Sequence, residues 1–461
     1  MKKFIKLSLL IAILCFTTSI SAQTTFGQVQ NSIPRDKDGI NVFDVKKDSA
    51  KFKGVSVYLG AAFALQFQAL NSFNDQENLP APIANYRLNN LANNLNLPIA
   101  NMTFGAQLAD GVRVNLDLYL SARHHNETWV KGGYLQIDKL DFIKKDFLAD
   151  FMKYATIKVG QMENNYGDAH FRRSDNGSAL VNPFIENNIM DAFITEPGVE
   201  VYYNRSGFVS MLGVTNSKLN QSVAEFIPSN STVTAPVPNS TVSPTILAKL
   251  GYDKQIDKDL RVRVTGSFYH VSNMSSALYS SDRAGSHYYA VMSHQAYNGV
   301  GGAAVANNFD VTANKDTGRF NPNFGNWATS IMVNPFVKFK GLEVFGTIEF
   351  ASGGNLKGSD ETRTVNQYAG DVVYRFGKSE NLYLGAKYNT VSGKLTNTDA
   401  DAVSINRVEL GGGWFMTKNI LAKLAYVSQS YKDYSQFTAG NPNDLYGGKF
   451  NGFMFESVIT F

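Results

Sequence analysis

Val112-Arg113-Val114-Asn115-Leu116-Asp117-Leu118-Tyr119-Leu120-Ser121-Ala122-Arg123 alternates in chemistry along its length. Val112, Val114, Leu116, Leu118 and Leu120 share one side, and Arg113, Asn115, Asp117, Tyr119 and Arg123 share the other. Successive side chains of an extended strand point to opposite faces, so this pattern predicts a strand with one fatty face and one wet face. A single such strand suits the edge of a soluble sandwich as well as a membrane wall. A long succession of them favours the wall.

The pattern recurs along the chain. Strands are expected near 54–68, 98–109, 112–123, 128–137, 154–162, 192–204, 207–216, 244–254, 260–273, 327–340, 342–352, 364–377, 381–392, 402–416, 420–431 and 450–461. That gives about 16 strands, with 14–18 as the range because 69–97 and 274–326 also hold apolar patches. Several exceed the usual soluble strand and suit a tilted bilayer crossing. The connections alternate in length. Short turns such as Asp110-Gly111, Lys340-Gly341 and 417–419 are interleaved with long segments such as 163–191, 217–243 and 274–326. Residues 51–461 are therefore expected to form an all-β, transmembrane, antiparallel up-and-down β-barrel in contact with lipid. Short periplasmic turns would face long extracellular loops.

The last strand carries the sharpest version of the pattern. Phe453, Phe455, Ile459 and Phe461 fall on one face, and Glu456 and Thr460 on the other. If 54–68 pairs with 450–461, the barrel closes. One short-side turn holds an insert, 139–153, in which Leu140, Ile143, Phe147, Leu148 and Phe151 lie near helical spacing. It predicts a short periplasmic helix at the rim.

The N-terminus reads as an export signal. Lys2, Lys3 and Lys6 precede the apolar run 7–16, and Ile20-Ser21-Ala22 offers a cleavage site. That run is too short to cross ~30 Å of hydrocarbon as a helix. Residues 1–22 are thus expected to be removed on the way to the cell outer membrane. Residues 23–50 are expected to form a loose, polar periplasmic leader. Cys15 is the only cysteine and falls in the signal, so no disulfide, thiol chemistry or Cys-bound metal is expected in the mature chain. Losing three lysines takes the formal charge from +4 to +1, which argues against nucleic acid as a partner.

With the apolar faces toward lipid, the other faces line the interior. They carry Arg113, Asp117, Arg123, Lys158, Arg261, Arg263, Glu349, Arg375, Arg407 and Glu409 as candidate lumen residues. A cation at the bilayer midplane costs roughly 2–4 kcal/mol, so an aqueous lumen is where these charges belong. The balance leans cationic, a mild hint of anion preference. The same charges also suit pairing between neighbouring wall strands.

The strand Thr156-Ile157-Lys158-Val159-Gly160-Gln161, the charged Gly- and Asn-rich segment that follows it, the strand count and the terminal Phe461 resemble a porin of the Bacteroidota. More distantly they resemble the phosphate-selective porin superfamily. That resemblance implies a passive diffusion channel for small hydrophilic solutes or ions, a homotrimer, and recognition of Phe461 by the barrel-assembly machinery. It also implies that the third loop, 163–191, folds inward. Asp168, His170, Arg172, Arg173 and Asp175 are then the constriction candidates, opposed charges that would sort permeants. An exposed loop ordered by its own ion pairs is the alternative. The arginine ladder and loop lysines of phosphate-selective members are not evident.

Motifs for catalysis and cofactors do not stand out. No GxSxG elbow, HExxH helix or phosphate-binding Gly-rich loop is found, and no cofactor, metal or enzymatic activity is expected. His124-His125 beside Glu127 suits a polar loop tip, and His270 near Ser267 and Ser272 is a vague catalytic grouping. Two rivals to the channel remain: a surface-binding or secretion-associated scaffold with an occluded lumen, and a barrel enzyme.

Overall fold

The computed structural model describes residues 25–26, 29–45, 47, 50–75, 88–96, 98–121, 128–218, 225–226, 237–238, 243–273, 278–280, 285–293, 317–354, 362–395, 401–435 and 444–461. The signal segment, Arg123, His124, His125 and Glu127 lie outside the described residues. Sixteen long strands form the wall: β1 Ser56–Phe73, β2 Ile99–Ala109, β3 Val112–Ser121, β4 Trp129–Ile137, β5 Ala155–Glu163, β6 Thr195–Arg205, β7 Phe208–Thr215 and β8 Thr245–Gln255. They continue as β9 Leu260–Val271, β10 Ala328–Phe339, β11 Leu342–Gly354, β12 Thr362–Phe376, β13 Leu382–Gly393, β14 Val403–Phe415, β15 Ile420–Lys432 and β16 Lys449–Thr460. Each pairs antiparallel with its sequence neighbours, the up-and-down order expected.

Closure occurs where the sequence places it. β1 pairs with β16 from Ala62 opposite Thr460 to Phe73 opposite Lys449. Its other edge pairs with β2 from Ser56 opposite Gln107 to Ala64 opposite Ile99. Phe461 adds two backbone hydrogen bonds with Ala61, both of 3.0 Å. β1 runs to Phe73, deeper into 69–97 than expected, because its alternation continues through Ala69-Leu70-Asn71-Ser72-Phe73. The short turns follow local backbone chemistry. Ser206 and Gly207, with φ of 54° and 92°, join β6 to β7 in the left-handed geometry that matches strand twist.

Burial is inverted relative to a soluble protein. Lys249 is 1% exposed while its neighbour Leu250 is 70% exposed. Leu212, Phe208, Leu384, Leu424 and Phe453 likewise lie outward, and Arg263, Arg407, Glu409 and Glu456 lie inward. An apolar exterior around a polar interior is stable only when hydrocarbon surrounds it, so the fold is a transmembrane barrel.

Three expectations change. The insert 139–153 is α-helical only over Ala149–Met152. Asp146 and Leu148 adopt φ of 59° and 52°, which interrupts any longer helix, and Phe142, Ile143 and Leu148 stay exposed. The leader is not loose over its described residues. Phe43 is fully buried against Phe171, Phe336 and Phe345, because the wide lumen offers an apolar niche to a short extended segment. Finally, parts of 274–326 fold inward instead of standing out as loop. Tyr279, Ser286, His287, Tyr288 and Phe320 are buried.

Candidate functional site

The loop between β5 and β6 leaves the wall after Glu163 and returns at Thr195, and in between it crosses the lumen. Its sequence favours this path. Asn, Asp, Gly and Arg supply many hydrogen-bonding groups, and the facing wall supplies complementary ones, so polar loop and polar lumen satisfy each other.

Asp168 is the first anchor. Its carboxylate accepts from Arg263 at 2.7 and 3.0 Å, from Thr265 at 2.7 Å and from Lys249 at 3.1 Å. Lys249 also donates to the Gly167 carbonyl at 2.7 Å. Gly167 has a φ of 71°, and a Cβ there would lie 2.1 Å from Met332 Sδ, so this turn requires glycine. Arg172 reaches Asp371 at 3.1 Å and Glu343 at 3.5 Å, and it donates to Asn41 of the leader. Arg173 grips Asp191 at 2.6 and 3.0 Å and covers the Phe193 ring at 4.3 Å. Asp175 accepts from Tyr119 and Lys131. His170 bonds Asn165 at 2.9 Å. Burial, then nearby Lys249, hold the His170 imidazole well below its usual range, so it is a neutral hydrogen-bonding group near pH 7.

The second half of the loop is held mainly through its backbone. Lys423 donates to the carbonyls of Ala179, Asn182 and Phe184 at 2.9, 3.2 and 2.9 Å. Arg407 donates to Asn187 O at 2.7 Å and to Gly318 O at 2.6 Å, joining the loop to the segment above it. Tyr288 of that upper region donates to Glu409. Glu349 is enclosed by Tyr166 at 3.1 Å, Tyr279 at 2.8 Å and Gln367 at 2.9 Å. Near the leader, Arg375 pairs with Glu343 at 2.8 Å, and Arg261 pairs with Asp253 at 2.6 and 2.8 Å. Arg113 bonds Asn31 O at 3.1 Å, and Asp117 pairs with Arg35 at 3.1 Å.

Gly177 sets the loop tip directly on the wall. A Cβ at this position would lie 2.7 Å from both Ala100 Cα and Ala62 O. Gly177→Val is therefore expected to lift the tip off β1 and β2, with an overpacking cost of about 1–3 kcal/mol. Limited proteolysis should show new cleavage between 174 and 182. An unchanged digest would refute the contact.

The loop does not fill the lumen evenly. Against β10–β13 a cavity of about 40 Å³ lies beside it. Against β4–β6 there is a cavity of about 250 Å³, bounded by Tyr134, Lys158, Tyr202, Asn165, His170 and Phe43. Phe43, Asp44, Tyr202 and Asn204 also line a space of about 570 Å³ toward the short-turn end. Lys158 is distinctive here. Its ammonium lies 5.3 and 4.9 Å from the Tyr134 and Tyr202 ring centres and has no hydrogen-bond or ion-pair partner among the described residues. Glu200, its opposite residue on β6, is engaged by the Asn165 amide at 2.9 Å and by Tyr202.

Sequence reasoning named most of these charges but missed Lys249, Asp191, the loop's Glu186, which accepts from Arg319 at 2.8 Å and Ser286 at 2.7 Å, and the leader's Asn41, Phe43 and Asp44. The leader does carry a signal in Ile40-Asn41-Val42-Phe43-Asp44-Val45, four apolar residues gathered within a charged stretch. The vague catalytic grouping comes apart. His270 bonds Thr329 at 2.8 Å and Ser272 at 3.1 Å, while Ser267 is an odd number of residues away and points to the opposite, inner face.

No family model and no curated protein matches the chain. Among solved structures, it is similar to an anion-selective porin from Comamonas acidovorans, with a TM-score of 0.48 and 12% identity, over 88% of this chain and 100% of that one. It is also similar to the outer-membrane expressed OmpT of Vibrio cholerae, with a TM-score of 0.46 and 12% identity, over 89% and 99% of the two chains. The outer membrane channel DcaP of Acinetobacter baumannii gives a TM-score of 0.45 and 12% identity, again over 89% and 99%.

Proposed function

We propose that the chain is an outer-membrane, porin-type channel that passes small hydrophilic solutes or ions passively, with a weak anion lean. The observation that carries this reading is the polar cavity of about 250 Å³ between the inward loop and β4–β6, adjoining the wider space at the short-turn end. A passive channel needs polar walls and space, and this side of the lumen has both. Asp168, His170, Arg172, Arg173 and Asp175 act mainly by holding the loop, which sets the width of the lane. The anion lean rests on Lys158, because the other named loop and wall charges among the described residues are engaged by protein partners. Purified protein in a planar bilayer is expected to give conductance steps in KCl. Silence under conditions where the barrel remains folded would sink the reading.

The same reading assigns 1–22 as a cleaved signal, places the short turns in the periplasm, and carries a homotrimer and recognition of Phe461 by the barrel-assembly machinery. N-terminal sequencing of the mature protein tests the first. Native gels of wild type and Phe461→Ala test the last two, with a monomer or an unchanged assembly yield as the opposing results.

A scaffold with an occluded lumen is the second reading. It is favoured by the buried leader, loop and upper segment, whose side chains interlock across the lumen. Liposome swelling with a small sugar separates the two: influx supports the channel and none supports the scaffold.

A further inference from the structure

The leader and the inward loop both occupy the lumen, but they are held there differently. Residues 29–45 cross the short-turn end like a strap, and Lys47 follows at its far edge. Gln30 bonds Gln107 and the Gly111 amide at 2.9–3.0 Å, beside β2 and β3. Lys37 N donates to Lys418 O at 2.9 Å, on the far side at the β14–β15 turn. The chain then doubles back through the centre. Asn41 donates to Glu343 at 2.8 Å and its carbonyl accepts from Arg261 at 2.9 Å. Phe43 is buried among Phe171, Phe336 and Phe345, and Asp44 pairs with Arg263. Lys47 ends the crossing on Asp138, just beyond β4, at 2.5 Å.

The wall groups that hold the leader also have other partners. Arg263 keeps Asp168 and Asp253 without Asp44. Glu343 keeps Arg375 without Asn41, and Arg261 keeps Asp253. Arg172 keeps Asp371, and Asp117 keeps Asn115 and Thr103. Asp138 keeps Thr156 at 2.6 Å and Gln136 at 2.8 Å without Lys47. Departure of the centre, residues 41–44, therefore strands none of these buried charges, the usual penalty that locks a polar segment in place, whereas Asp117 and Asp138 lose the charged partners Arg35 and Lys47 and keep only neutral donors. The inward loop is the opposite case. Asp168 is the carboxylate paired with Lys249, and no second one is within ion-pair distance among the described residues.

We propose that residues 29–47 form an autoinhibitory strap that withdraws from the lumen as a unit, and that its contacts with Phe171 and Arg172 couple that movement to the inward loop. The proposal rests on the channel reading above and names its regulation. With the strap in place, Phe43 and Asp44 border both spaces on the β4–β6 side. With it gone, those spaces merge with the short-turn mouth. Both ends of the strap meet the same wall edge: Thr25 and Phe26 pair in parallel with Ser56 and Val57 of β1, and residues 50–55 lead into β1 on the other side, so the strap can swing from that edge without breaking the antiparallel pairing between wall strands.

The test compares single-channel conductance in KCl for the mature chain, a mature chain lacking residues 29–47, and the full-length double variant Asn41→Ala/Asp44→Ala. Resistance of the folded barrel to detergent on gels is checked for each. The shortened chain should conduct several-fold more, and the double variant should dwell longer in a high-conductance level. Equal conductance and dwell times in folded proteins would overturn the strap and leave the channel standing. Silence from all three would remove the channel reading and the strap with it. If the shortened chain fails to assemble, the double variant decides alone, and wild-type dwell times would overturn the proposal.

Discussion

Asp168→Ala is expected to destabilise the barrel by about 3–5 kcal/mol, the largest stability effect of any single loop substitution. The side chain is buried, and both its oxygens are used, by Arg263, Thr265 and Lys249. Removing it leaves the Lys249 ammonium buried with only the Asn165 and Gly167 oxygens as acceptors. A buried charge without its counter-charge costs far more than the pair contributes. Arg263 suffers less because Asp44 and Asp253 remain. The loop should detach near Gly167, and conductance should become noisy. Urea unfolding of Asp168→Ala against wild type measures the loss, and a change below about 1 kcal/mol would mean that water already screens the cluster. The paired replacement Asp168→Ala/Lys249→Met should recover much of the stability, since it removes both members of the pair.

Lys158→Glu carries the largest expected effect on selectivity. A unit charge about 5 Å from an ion in water-like surroundings is worth about 0.8 kcal/mol, so reversing its sign moves cation and anion by about 1.6 kcal/mol each in opposite directions, or roughly 200-fold in the cation-to-anion permeability ratio before screening by salt. The effect should be strong at this site because Lys158 borders the cavity and has no hydrogen-bond or ion-pair partner among the described residues. Reversal potentials in a KCl gradient read the change directly. Arg407→Gln is the control. That guanidinium is committed to backbone carbonyls and Gln429, so its loss should disturb the loop more than the ion preference. An unchanged reversal potential in Lys158→Glu would place the permeation path elsewhere.

The wall was legible in the sequence to within a few residues at nearly every strand. Hydrocarbon outside and polar groups inside impose opposite demands on adjacent side chains, and a strand turns those demands into strict alternation. Segment 139–153 misled for a related reason. Apolar residues at helical spacing describe a helix only if the backbone stays right-handed, and the conformations of Asp146 and Leu148 depend on the turn they sit in. Among the site residues, Arg263, Arg375 and Arg407 could be assigned to the lumen from their faces alone. Their roles could not, because a face says nothing about which carboxylate a guanidinium meets.

By itself, then, the sequence determined a closed antiparallel wall and its strand order, and it put Arg263, Arg375, Arg407 and Glu409 on the inner face where they lie. Local backbone periodicity and the demand for satisfied hydrogen bonds in lipid suffice for those. Only the tertiary structure decided that Asp168 meets Lys249 and Arg263 across separations of 81 and 95 residues, that Lys158 rests between two tyrosine rings without an ion-pair partner among the described residues, and that a charged leader lies within the lumen. Those choices come from shape and pairing in a crowded polar interior, where many charge arrangements satisfy the same alternating pattern and only packing selects one.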